Sequence, residues 1–357
     1  MNNTPQPHAL MPDLTGVELD GGWIVGEKDE KRPGESGRTF SVCYKVTHKD
    51  NGDAYFLKAF DFYTPLANSN PQTFGVQLQQ MINAFVFEEA LLRECRGSDR
   101  VVTAVASGQY RPNGQIVPVP YLIFELGAGD IRRHLGTNEL PIAWKVRAFH
   151  HIATGVLQVH GKDIAHQDLK PSNAVVFKTH TGVADLGRAS KKDVDGPWDG
   201  LHFPGDPNYM PPEFQYGYSL PDFDRRRQGA DVYMLGALGV FLFTGIALNA
   251  IVREALSSEY HPGNWNDPYE KVLDYYREAF YKALDRIRAQ LPPGNLGDEL
   301  LHIFTWLCDP NPVERGYIHM GEVKPAEFSL NKLVTKLDQL AVQADIEARK
   351  NGEGTSA

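Results

Sequence analysis

Within eight residues, His166-Gln167-Asp168-Leu169-Lys170-Pro171-Ser172-Asn173, the chain sets out a carboxylate, an ammonium two residues on and a carboxamide five residues on. Such a loop suits phosphoryl transfer, a reaction that asks little covalent chemistry of a protein and mostly positioning and neutralisation of charge. Asp185-Leu186-Gly187 begins twelve residues after Asn173 and brings in a second carboxylate. Either motif alone is open to the rival reading of a polar loop in some other α/β protein; the two at this spacing favour chemistry.

The rest of the chain bounds what can hold these groups. Its 357 residues, 42% hydrophobic and 23% charged, leave room for two domains of about 150 residues each. Cys43, Cys95 and Cys308 lie far apart with no C-x-x-C or Cys/His spacing, so neither a disulfide framework nor a zinc site is expected, and a reducing cytoplasm is. No stretch approaches the roughly 18 apolar residues of a membrane span. The most apolar run, Val232 to Leu248, opens after Asp231 and is interrupted by glycines. The N-terminus lacks a basic region followed by an apolar one, so no export signal is expected. A net charge of −9 argues against nucleic acid as a partner. Arg225-Arg226-Arg227, the only compact basic run, reads as a solvated face, with docking as the rival reading.

The segments change character once along the chain. Phe40 to Val46 and Ala54 to Phe60 alternate in the manner of strands, joined by a turn at Asn51-Gly52 that signals a hairpin. Gln77 to Cys95 carries a helical apolar period. From Pro141 onward helices dominate: Ala143 to His160, Asp231 to Leu248, Pro268 to Leu291, Asp298 to Leu307, and Pro325 to about Lys350. The expected fold class is α+β, strands first and helices after.

The two motifs resemble the catalytic loop and the metal-binding D-F-G of eukaryotic-type (Hanks-type) serine/threonine protein kinases, with Leu at the centre of the second. The resemblance covers roughly residues 23 to 320. It implies a bilobal fold: a flexible leader over 1–20, an N-lobe over 21–126, a C-lobe over 127–345 with an inserted helix around 268–291, and a flexible tail over 346–357. It implies ATP and Mg²⁺ as cofactors and Ser/Thr hydroxyls of proteins as acceptors. Asp168 then orients the hydroxyl, Lys170 neutralises the transferring phosphate, and Asn173 and Asp185 hold the metal. Cys43 stands fifteen residues before Lys58, a spacing similar to that between the Val ending the family's Gly-rich loop and the Lys that holds the α and β phosphates. Glu88 is the preferred helix partner of Lys58, because Leu91, Leu92 and Cys95 then share its inward face; Glu89 is the fallback. Phe124 resembles the gatekeeper, Glu125-Leu126-Gly127 the adenine-binding hinge, and Asp130 is placed to reach the ribose. Pro211-Pro212-Glu213 resembles A-P-E, and Glu213 is expected to form a buried ion pair with Arg315. Asp231 resembles the helix Asp that binds the catalytic-loop backbone, and His166 reads as a packed core histidine.

Several departures mark this chain. The glycine positions of the phosphate loop hold Ser36, Arg38 and Ser41, with Gly37 nearby, and Arg38 offers a positive charge. Gln167 replaces the Arg that in many regulated kinases awaits an activation-segment phosphate. Between Asp185 and Glu213 the only Ser or Thr is Ser190 and the only Tyr is Tyr209, so activity is expected not to wait for phosphorylation there. Asp206 stands where Ser/Thr kinases generally have Thr; a second carboxylate beside Asp168 repels it and raises a pKa unless Lys170 is shared between them. The stretch 249–296 is longer than a minimal kinase needs, and the aromatic stripe on its helix reads as core packing, with a partner-docking face as the rival. Residues 61–80 read as an inserted loop. A nucleotide-binding pseudokinase scaffold is the alternative function, and a small-molecule phosphotransferase the next.

Overall fold

The computed structural model describes residues 11–29, 41–67, 72–115, 117–137, 139–316 and 330–350. Its amino-terminal sheet is built from β1 (Glu18–Leu19), β2 (Trp23–Asp29), β3 (Ser41–His48), β4 (Ala54–Phe60), β5 (Ala106–Tyr110) and β6 (Val119–Glu125). The spatial order is β1-β2-β3-β4-β6-β5, every neighbouring pair antiparallel. Alternation is the cause: Tyr44 and Val46 of β3 are buried while Lys45 and Thr47 face outward. At the hairpin turn Gly52 takes φ +72°, and the Asn51 side chain accepts from the Asp53 amide at 3.0 Å, which sets the register Thr47 opposite Ala54. Leu14, Leu19, Val25, Tyr44, Leu57 and Ile123 share one core. The expected leader therefore ends early: Leu14 is fully buried and β1 already belongs to the sheet. Leu14 and Leu19 are buried there, and backbone bonds between Gly16 or Val17 and Val25 tie the stretch to β2.

Among the described residues two helices precede β5. The expected loop over 61–80 instead contains α1 (Tyr63–Ala67), and α2 begins at Phe74 and runs to Glu94. Tyr63 and Leu66 are buried, so tertiary burial stabilises a turn of helix too short to hold by itself.

The chain divides into two compact units, one taking in the described residues of 1–96 and 102–128, the other those of 97–101 and from 129 onward. The second unit contains the short strands β7 (Gly129–Asp130), β8 (Ile164–Ala165), β9 (Ala174–Val176), β10 (Thr181–Val183) and β11 (Ser190–Lys191). Its described helices are α3 (Ile131–Thr137), α4 (Ile142–His160), α5 (Pro212–Gln215), α6 (Gly229–Thr244), α7 (Leu248–Ala255), α8 (Tyr269–Arg288), α9 (Asn295–Leu307) and α10 (Leu330–Lys350). The apolar run noted in the sequence forms α6, buried nearly all round at the centre of this unit, but not one helix to Leu248: Gly245, at φ +69°, ends α6 after Thr244, and Leu248 opens α7. Among the described residues no single helix is long and apolar enough to cross a membrane. The stripe on α8 divides: Tyr276 and Phe280 are buried with Tyr269, Val272 and Ile287, while Tyr275 and Tyr281 are exposed. The helix α10 packs along α4 and continues to Lys350 with Ala348 buried, so residues 346–350 are helical, not tail.

Glu213 and Arg315 form the expected pair, two bonds of 2.7 Å between side chains 3% and 1% exposed, with the Tyr233 ring 5.0 Å from the guanidinium. Removing either partner of a buried pair strands the other charge, a loss of about 3–5 kcal/mol.

On α4, His151 accepts a hydrogen bond at Nδ1 from the Thr181 amide at 3.3 Å, tying the helix to the strand that leads to Asp185. Burial, aided by the neighbouring Arg100 charge, pushes His151 down to about 3. An unfolded chain holds this proton near pH 6.5, so it binds the extra proton between those values. The resulting stability is complete above about pH 6.5 and is lost as pH falls toward 3. Urea midpoints should fall as pH is lowered from 7.5 to 4, and His151→Phe should flatten that fall; an equal slope in the variant would assign the acid sensitivity to other groups.

Candidate active site

The catalytic loop is hung from one side chain. Asp231, on the first turn of α6 and fully buried, accepts the amides of His166 and Gln167 at 2.7 Å each and meets His160 Nε2 at 2.9 Å. Gln167 sits at φ +62°, a conformation a side chain bearing Cβ rarely adopts without support. His166 is wholly buried, with Nδ1 accepting from the Asp168 amide at 3.3 Å and Nε2 donating to the Ala184 carbonyl at 3.0 Å. Both nitrogens are thus engaged in structure, as expected for a packed histidine.

Asp168, Lys170 and Asn173 converge. The Lys170 ammonium lies 2.9 Å from Asp168 Oδ2 and 3.1 Å from Oδ1. The Asn173 carboxamide donates to the Asp168 backbone carbonyl at 2.8 Å and to its Oδ2 at 3.1 Å. Its NH₂ being directed to Asp168, its Oδ1 is the end left for a cation. Burial raises the Asp168 carboxyl above the ordinary carboxylate range, the Lys170 charge opposing that shift and the Asp185 charge adding to it. Asp185 is exposed, at φ +68°, with Oδ1 accepting from the Gly187 amide at 3.2 Å.

The second carboxylate is accommodated by sharing. The Asp206 amide donates to Asp168 Oδ1 at 2.9 Å, its own Oδ2 stands 3.7 Å from Lys170 Nζ, and its Oδ1 accepts the amide and side-chain NH₂ of Asn208 at 3.0 Å each. Gly205 lets the segment come this close: a Cβ there would fall 2.1 Å from the Gln167 carbonyl oxygen.

The other candidate residues belong mostly to the first unit. Lys58 Nζ bonds Glu88 Oε1 at 2.8 Å and Oε2 at 3.2 Å, while Glu89 is bound to Ser107 Oγ at 2.6 Å and Arg93 at 3.3 Å. Glu88 is therefore the partner. Cys43 stands directly opposite Lys58 on β3 and β4, and Ser41 opposite Phe60. Glu125 closes β6 across from Tyr55, after which Leu126 and Gly127 leave the sheet behind the buried Phe124. Asp130, in the second unit, accepts the Arg133 amide at 2.8 Å in the manner of an N-cap for α3 and pairs with Arg132 at 3.8 Å. That capping role was not expected of it. Ser36, Gly37 and Arg38 lie outside the described residues.

One residue of the site was misread from sequence. Arg227 is 2% exposed, not part of a solvated face, and donates to Gln167 Oε1 at 2.7 Å. The signal was its place four residues before Asp231, which sets both on one side of a helical stretch.

Residues 36–320 match the family model of the protein kinase domain. The chain belongs to the protein kinase family. It is 26% identical over 183 residues to serine/threonine-protein kinase mph1 of Schizosaccharomyces pombe, covering 48% of this chain and 24% of that protein. It is 30% identical over 214 residues to serine/threonine-protein kinase PTK2/STK2 of Saccharomyces cerevisiae, covering 54% and 26%. To the interferon-induced, double-stranded RNA-activated protein kinase of Rattus norvegicus it is 24% identical over 227 residues, covering 62% and 41%. The chain thus spans less than half the length of each of these relatives.

Replacing Asp231 by Asn would turn an NH₂ group toward one of two backbone N–H donors. The charged hydrogen bonds lost are each worth about 1.5–3 kcal/mol. Asp231→Asn should therefore lower unfolding stability by at least that amount, with accelerated amide exchange at residues 166 and 167; unchanged exchange there would show the loop to be held by something else.

Proposed function

We propose that the chain transfers the γ-phosphate of ATP to serine or threonine hydroxyls of protein substrates. The convergence of Lys170 and Asn173 on the buried Asp168 carboxylate carries this reading. The acceptor hydroxyl hydrogen-bonds to Asp168; its oxygen forms a bond to the γ-phosphorus as the bond to the ADP oxygen breaks, and its proton passes to Asp168. Lys170, held between two carboxylates, presents its charge to the transferring phosphoryl group. Lys58, oriented by Glu88, holds the α and β phosphates, and the backbone of 125–127 receives the adenine.

Asn173 Oδ1 and the Asp185 carboxylate are hard oxygen donors of the kind Mg²⁺ takes, and as only two ligands they suit an ion that also keeps phosphate oxygens and water. Among the described residues no cluster of three or more His, Cys, Asp or Glu side chains offers a closed cage instead. Held there by Asn173 and Asp185, Mg²⁺ would supply charge neutralisation at the phosphates.

Lys170, two residues after the Asp, favours Ser/Thr acceptors over Tyr. Activity without activation-segment phosphorylation is supported by Gln167, which offers no cation to a phosphate, and by Ser190 and Tyr209, at 0% and 8% exposure too enclosed to be modified as they stand. A pseudokinase scaffold is the second reading, favoured by the serine and arginine residues at the glycine positions. Tyr275 and Tyr281 are the part of the α8 stripe exposed to a protein partner. The net charge of −9 favours neither nucleic acid nor membrane, and three free buried cysteines suit a reducing cytoplasm.

Transfer from labelled ATP with Mg²⁺ to a generic Ser/Thr protein should fall about 10²–10⁴-fold in Asp168→Asn, the range of a general base, with ATP binding retained. Nucleotide bound by the parent protein with no transfer would favour the scaffold. Asp206→Thr removes the charge that competes for Lys170 and should raise kcat by up to about tenfold, equivalent to about 1.4 kcal/mol. An unchanged rate would mean that Asp206 only caps its turn.

A further inference from the structure

The Arg227 guanidinium is a buried cation whose partners are all neutral. Its Nη1 donates to Gln167 Oε1 at 2.7 Å, and its Nη2 to the backbone carbonyls of Asp199 at 3.1 Å and Leu201 at 3.3 Å. Its Nε is buried with no partner among the described residues. The Asp199 and Asp231 charges favour the cation, but no carboxylate hydrogen-bonds it. Burying a charge without a directly bonded counter-charge is expensive, so an arginine that merely filled space here would be replaced at a gain by an apolar side chain. The carbonyls it gathers have something in common: all belong to the catalytic loop or to the segment between Asp185 and Glu213.

Gln167 completes the connection. Its Nε2 donates to Ser190 Oγ at 2.8 Å and to the Arg188 carbonyl at 3.3 Å while its Oε1 accepts from Arg227. A carboxamide is the group that can accept from a guanidinium at one end and donate at the other. Arg at position 167 would set two guanidinium groups face to face and would need an anion between them. Gln beside Arg227 needs none.

We propose that Arg227, acting through Gln167, is the positioning residue that holds the segment over 188–201 closed on the catalytic loop in place of a phosphate. The proposal rests on the kinase reading and names the device behind its independence of phosphorylation. Arg227 touches no reacting atom; it fixes the start of the segment through Ser190 and its middle through Asp199 and Leu201. The Asp206 amide, farther along that segment, then stands against Asp168.

The test uses the full chain, treated with phosphatase and checked by intact mass for absence of phosphate. Transfer to a generic protein substrate is measured together with hydrogen exchange over residues 188–205 for the parent, Arg227→Met, Gln167→Arg and the swapped Gln167→Arg/Arg227→Gln. Misplacement of catalytic groups by about 1 Å can cost about 10²-fold. Each single variant should therefore lose about tenfold to a hundredfold in kcat at unchanged KM for ATP, with fast exchange over 188–205. The swap, which restores one guanidinium and one carboxamide, should recover both. Parent-like kcat and exchange in Arg227→Met would overturn the proposal, and so would a parent inactive until Ser190 or Tyr209 is phosphorylated. If Arg227→Met does not fold, Gln167→Arg and the swap decide by the same readouts. A parent that transfers no phosphate sinks the kinase reading alone. Exchange then decides the clamp: protection over 188–205 lost in the single variants and regained in the swap supports it, and equal exchange throughout overturns it.

Discussion

A carboxylate sealed from water on the first turn of α6 holds the start of the loop that carries Asp168, Lys170 and Asn173. Asp231 receives two consecutive backbone amides of the catalytic loop, and in doing so holds Gln167 in a left-handed conformation that most residues avoid. Two consecutive N–H groups aimed at one carboxylate leave the peptide planes little freedom, and the next residue is Asp168. The helix that carries Asp231 is apolar on nearly every side because it is surrounded by other elements, so the anchor itself hardly moves relative to the core.

Around that anchor the structure disposes of buried charge in three ways. Glu213 and Arg315 neutralise each other bidentately, closing the far end of the segment that follows Asp185. Asp168, Lys170 and Asp206 form a cluster in which one ammonium serves two carboxylates unequally, close to Asp168 and farther from Asp206. Arg227 has no carboxylate among its hydrogen-bond partners, which are carbonyl and carboxamide dipoles, and the Asp199 and Asp231 charges act on it without bonding it. The first arrangement cancels two charges against each other, the second leaves one ammonium between two carboxylates, and the third draws separate stretches of chain together.

Much of this was legible in the linear sequence because the relevant chemistry is local. Asp168, Lys170 and Asn173 lie within one loop, and a tight loop can bring side chains two and five residues apart onto one point. The hairpin at Asn51-Gly52 and the long helices α4, α8 and α9 follow from residue-by-residue preference and period, which also need no distant partner. Misreadings came where a local pattern was weak and burial decided the outcome. Leu14 and Leu19 draw a polar leader into the sheet, Tyr63 and Leu66 make a helix from an expected loop, and Arg227 was hidden within a basic run that composition alone assigns to solvent.

The sequence by itself determined the family and the grouping of Asp168, Lys170 and Asn173 in one loop, since residue type and local spacing are written in the chain directly. Only tertiary structure decided which of Glu88 and Glu89 meets Lys58, 30 residues away. Only tertiary structure decided, too, that Lys170 is shared with Asp206 and that Gln167 faces Arg227 across 60 residues of sequence. Those outcomes depend on which side chains are brought together after the core has excluded water, and no local spacing encodes the partner of a charge that must be satisfied at such a distance along the chain.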